Sequence, residues 1–297
     1  MMDDAHDPII GEGRHRYRFR RAWAKLPRWW NFGENAPGRP PQTAVQGAVA
    51  ANGDVYVLSR GAHPVTVFDG EGNFITAWDK GRFSPFVHGL AIDPQGHVWI
   101  TDSGSHTITE HLADGTLLRT LGSAAFPAPT FYGNPFNMPT GVAFAADGDI
   151  LVSDGYGNRR VHRFAPDGTL RHSWGGPGAG PGEFALVHYI AIDAQQRVYV
   201  ADRENNRIQL FDGAGGHLAD WADFSLPSDL AIGRNSIVVA GQDGLSIWSL
   251  ERELLIRWSR DTPLKDALNL HGVWLDGEEN IYLAQFDRTV SKLTRIP

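Results

Sequence analysis

The 297-residue chain has no cysteine, which excludes disulfides and thiolate metal sites. It has no apolar run approaching the ~18 residues of a membrane-spanning helix. Basic residues are the minority, 27 against 34 acidic, and the formal net charge is -7. That balance argues against nucleic acid or an anionic membrane as partner. The first residues, Met1 to Pro8, are acidic and carry no apolar segment, so no secretory signal is expected there and a cytoplasmic location is. The Gly175–Gly182 run lacks the Lys-Ser/Thr ending of a phosphate loop, and no Gly-x-Ser-x-Gly or Ser-His-Asp pattern is legible.

What the chain has instead is turns and a repeat. Its 34 glycines and 18 prolines punctuate short β-rich runs, and 42% hydrophobic residues suffice for a large core. One strand-opening pattern recurs as His88-Gly-Leu-Ala-Ile-Asp93, Thr140-Gly-Val-Ala-Phe144, His188-Tyr-Ile-Ala-Ile-Asp193 and His271-Gly-Val-Trp-Leu-Asp276. Degenerate copies open at Gln46 and Ser228. Each copy spans ~40–50 residues and holds four short strands, the size of a propeller blade. The expected fold is therefore all-β: a six-bladed β-propeller over residues 17–297, after a disordered tail at 1–16. The sixth blade stops early, and the alternating stretch Tyr17–Trp23 is read as the N-terminal strand that closes the ring. Residues 24–43 are read as an irregular connection. Trp78, Trp174, Trp221 and Trp258, each ending a fourth strand, are assigned to packing between blades.

The first position of the repeat reads Gln46, His88, Thr140, His188, Ser228, His271. On a six-membered ring the histidines fall on alternate blades, related by a pseudo-threefold axis. Three imidazoles converging on one axis form a metal site with an open coordination position. In a meander blade the residue opening the first strand and the loop after the second share one face of the disc. Arg60, Tyr156 and Arg203 lie in such loops, so all six residues are expected at one mouth of the channel. Asp102, Asp154 and Asp202 are read as caps for loop amides. His63, His106, His111, His162 and His172 are read as exposed loop or outer-strand residues.

Several segments carry a resemblance to a known family. Asp154-Gly-Tyr-Gly-Asn158, Gly175-Gly-Pro-Gly-Ala-Gly-Pro-Gly-Glu-Phe184 and Ala201-Asp-Arg-Glu-Asn-Asn-Arg-Ile208 resemble NHL-repeat propellers. More narrowly, they are similar to the peptidyl-alpha-hydroxyglycine alpha-amidating lyases, or peptidylamidoglycolate lyases, over residues 44–295. The resemblance implies a metal-dependent lyase whose zinc is held by His88, His188 and His271. The reaction is cleavage of a carbinolamide, a peptidyl- or acyl-alpha-hydroxyglycine, to an amide and glyoxylate. Tyr156 would be the base, and Arg60 and Arg203 would hold the carboxylate of a small-molecule or peptide substrate. The resemblance also implies a structural calcium on backbone carbonyls near Ala48 and Leu90. The family's carboxylate ligand for it follows the third histidine, and here that position is Gly272. An all-histidine site also suits other first-row divalent metals. Two further readings stand beside the lyase: a gluconolactonase-like metal hydrolase, and a non-catalytic NHL scaffold that binds protein on its disc face.

Overall fold

A computed structural model describes residues 7–33, 43–78, 81–124, 126–128, 136–259, 264 and 268–296. The strands form five four-stranded antiparallel sheets and one five-stranded sheet. Each sheet is one blade. In blade two the order is Val87–Ile92, Val98–Asp102, Thr107–His111, Leu117–Gly122, from the channel outward. The inner strands of successive blades abut, and that of blade six, Leu270–Leu275, returns to that of blade one, Ala44–Val49. The six-bladed propeller expected from the repeat is the observed fold. Among the described residues no helix is long and apolar enough to cross a membrane.

Closure follows the expected route. Tyr17–Arg20 pairs antiparallel with Val290–Arg295 as the fourth strand of blade six. The expected tail is shorter than residues 1–16, however. Ile9 and Ile10 form a fifth strand against Arg18 and Tyr17, and Ile10 is buried in the core between blades five and six. Its apolar side chain gives this segment a reason to dock that the acidic composition around it conceals. Residues 1–6 lie outside the described residues.

The core is divided into six clusters, one at each blade boundary. Between blades one and two, Val45, Leu58 and Val65 meet Leu90, Val98 and Ile100. Second strands such as Val198–Asp202 are buried along their whole length, because both faces of the sheet are covered by neighbouring blades. That arrangement explains their near-continuous apolar sequence. Burying each such Val, Ile or Leu contributes about 1.5–3 kcal/mol. Trp221 and Trp258 are buried in these boundary clusters, and Trp78 and Trp174 pack against them half-buried, as expected.

Two expectations about polar groups part company. Asp102 accepts from the amides of Ser84, Gly104 and Ser105, Asp154 from Asn137, and Asp202 from Ala185, so all three cap loops. His111 and His162, in contrast, are fully buried rather than exposed. They lie on third strands, which are interior in a four-stranded blade, and His162 Nε2 is 3.1 Å from Asp154 Oδ2.

Candidate metal centre

His88, His188 and His271 owe their direction to a backbone irregularity. In blade two, Val87 pairs with Asp102 and Gly89 with Thr101, so His88 is left out of the ladder. The same slip skips His188 in blade four and His271 in blade six. Each histidine is thus the extra residue of a β-bulge, a device that re-aims a side chain. The three rings stand with centroids 4.7, 5.0 and 5.6 Å apart, and one nitrogen from each lies within 4.8 Å of the others.

Each ring is held by the next blade. His88 Nδ1 donates to Thr140 O at 2.8 Å, His188 Nδ1 to Ser228 O at 2.5 Å and His271 Nδ1 to Val45 O at 2.8 Å. A carbonyl can only accept, so Nδ1 carries the proton and the Nε2 lone pair is left for the channel. The acceptors are the equivalent positions of blades three, five and one. Register places Val45, not Gln46, at the histidine position of blade one, since Val45 is the residue skipped between Ala44 and Gln46. The sequence reading of Gln46 there was one residue off.

Tyr156 completes the cluster. Its hydroxyl lies 3.1 Å from His88 Nε2 and 3.0 Å from His188 Nε2. One hydroxyl hydrogen can satisfy only one of two inward lone pairs, which leaves a buried donor set suited to a cation. Burial, then the neighbouring positive charges, drives the imidazoles toward neutrality: His88 and His188 fall well below the usual value and His271 falls to about 3. Neutral imidazole is the form that binds metal. Burial raises the Tyr156 phenol, while Arg203 and Arg60 pull it back.

The arginines arrive from opposite sides. Arg60, after the second strand of blade one, donates from Nε to Val87 O beside His88 at 3.1 Å. Arg203, after the second strand of blade four, forks onto Glu204 beside Tyr156, and its charge helps pull the Tyr156 phenol down. The structure therefore brings all six sequence-predicted residues together at one mouth.

Sequence reading missed the floor beneath them. Gln46 Nε2 donates to Asp229 Oδ2 at 2.7 Å, and the same carboxylate accepts from the Val273 and Leu230 amides. Tyr189 bonds Gln46. Burial raises Asp229 well above the usual carboxylate range, against the pull of those donors. These residues share a cavity with the three histidines, while the far end of the channel is lined by apolar side chains such as Ala143, Phe144 and Ile232. The implied calcium does not fit here. Position 272 has no carboxylate, and a Cβ on Gly272 would lie 2.3 Å from Val45 O, with Gln46 Oε1 3.2 Å away.

The NHL repeat profile matches residues 86–110, 136–164 and 184–211, within blades two, three and four. NHL repeat-containing protein 3 of Homo sapiens is 32% identical over 217 residues, covering 69% of this chain and 59% of its own. A protein of Caenorhabditis elegans named as a probable peptidyl-alpha-hydroxyglycine alpha-amidating lyase is 33% identical over 187 residues, 61% of this chain and 50% of its own. The chain thus spans between half and three-fifths of the length of these relatives. The virginiamycin B lyase structure from Staphylococcus aureus superposes with a TM-score of 0.64 at 15% identity, over 94% of this chain and all of the other, a likeness of fold alone.

Proposed function

We propose that this chain, which belongs to the NHL-repeat six-bladed propellers of the peptidyl-alpha-hydroxyglycine alpha-amidating lyase family, is itself a metal-dependent lyase. Its substrate class is an acyl- or peptidyl-alpha-hydroxyglycine, and its products are the amide and glyoxylate. One observation carries the reading: three bulged imidazoles, each locked with Nε2 inward, converge beside a tyrosine hydroxyl and two arginines.

His88, His188 and His271 would hold the ion, for which zinc is the first choice because three neutral imidazoles leave one position open. When bound, such an ion polarises an oxygen and places positive charge beside Tyr156. Arg60 and Arg203 present fixed forks of donors that suit the hydroxyglycine carboxylate. As the phenolate, which Arg203, Arg60 and the ion's charge would favour against burial, Tyr156 would take the proton from the substrate's hydroxyl. As the C–O bond becomes a carbonyl, the C–N bond breaks and its electron pair stays on nitrogen. The proton passes from Tyr156 to that nitrogen, so one hydroxyglycine unit yields one amide and one glyoxylate with nothing added. The floor of Gln46 and Asp229 closes the site toward the far end of the channel, leaving the arginine-lined mouth for entry.

The test is metal analysis of the purified protein followed by glyoxylate release from N-benzoyl-alpha-hydroxyglycine. One equivalent of a first-row metal with turnover is the expected result. Full turnover by metal-free protein would dispose of the mechanism. Metal-free, inactive protein that retains its fold would leave the disc-face scaffold.

A further inference from the structure

On the same face as the imidazoles, a groove of about 560 Å³ runs outward from Arg60 between blades one and two. One wall is the loop after the second strand of blade one, with His63; another is the approach to His88, with Phe83 and Pro85. The third wall is the connection entering blade one. Trp30 lies flat on His63, ring centroids 3.5 Å apart and planes within 6°, and Trp29 is 85% exposed beside it. Gly61 permits this close seating, since a Cβ there would lie 3.0 Å from the Phe32 backbone. Among the described residues no carboxylate lines the groove, and its inner end is the Arg60 guanidinium that also faces the metal-site histidines.

We propose that this groove binds the acyl group on the nitrogen side of the substrate and selects an aromatic or apolar one. The proposal rests on the lyase reading and names its substrate class. Continuity argues for this occupant. Arg60 belongs both to the groove and to the reacting centre, so a molecule held at the imidazoles has the groove as its adjoining wall. The lining argues for the chemistry. Indole, phenyl and proline surfaces favour flat or apolar groups.

The experiment compares N-acetyl-, N-benzoyl- and N-(6-aminohexanoyl)-alpha-hydroxyglycine by glyoxylate release, in the metal-loaded protein and in Trp30→Ala and His63→Ala. The expected result is kcat/KM higher for benzoyl than acetyl by about ten- to a hundredfold, the range an apolar pocket can supply. The aminohexanoyl compound should fall below benzoyl, because indole, phenyl and proline surfaces would have to strip water from its ammonium. Trp30→Ala should bring benzoyl down to the acetyl level while acetyl changes by less than about twofold, because only the larger group reaches the indole. Metal content reports that the variants remain folded. Equal kcat/KM for all three acyl groups would overturn the groove assignment while leaving the lyase standing, as would a uniform loss in both variants. If no compound is cleaved, the lyase reading fails, and the groove is judged by benzamide binding followed through tryptophan fluorescence. Saturable quenching lost in Trp30→Ala would uphold it, and no quenching in the parent protein would end it.

Discussion

Gln46 on blade one donates to Asp229 on blade five across the channel at 2.7 Å, spanning blade six, whose Val273 amide donates to the same oxygen. This link lies one residue from Val45 and Ser228, whose carbonyls orient His271 and His188. Asp229→Ala would strand the Gln46, Val273 and Leu230 donors in a buried setting. Each unpaired buried group costs about 1–3 kcal/mol, so a loss of several kcal/mol in urea unfolding is expected. Metal affinity should fall by about ten- to a hundredfold, the usual effect of losing support behind a ligand. Unchanged stability and affinity would show that the floor does not brace the histidines.

His188→Ala removes one of three donors. Bound metal and glyoxylate release should both disappear, whereas His172→Ala, on the outer strand of blade three, should retain both. Elemental analysis alongside the activity assay checks the pair.

Tyr156→Phe keeps the ring and deletes the oxygen that reaches two imidazoles. Loss of a positioned acid-base group lowers kcat by about a hundred- to ten-thousandfold. Metal content should be unchanged. A variant retaining full kcat would remove Tyr156 from the chemistry.

Acid should weaken the metal-free protein through its buried imidazoles. Burial, with Arg60 next, lowers His271 to about 3, while an unfolded histidine titrates near 6.5. Below about pH 6.5 the unfolded chain takes up a proton that the folded chain refuses. Stability from this group is therefore present above that pH and lost progressively as pH falls toward about 3, at up to about 1.4 kcal/mol per pH unit. Urea midpoints at pH 7.5, 5.5 and 4.5 should decline, and less steeply in His271→Gln. Equal slopes in both proteins would contradict the assignment.

Much of this was legible because repetition exposes it. Three histidines at one repeated place announced both the ring and the hub, and the loops after second strands delivered Arg60, Tyr156 and Arg203 to the same mouth. The misses have physical causes. Gln46-Gly47 imitates His88-Gly89 in letters, but the bulge in blade one falls a residue earlier, a matter of backbone register that composition does not encode. Asp229 gave no signal, since its role depends on partners 183 and 44 residues away. His111 and His162 resemble surface residues until a fourth strand covers the third.

Because every imidazole is fastened to its neighbour's main chain rather than its own, the grip at the hub senses six spokes at once. Loosening any seam should register as weaker ion uptake. Conversely, an ion seated there would act as an axle pin, tightening the entire wheel by mass action in proportion to the logarithm of its free concentration.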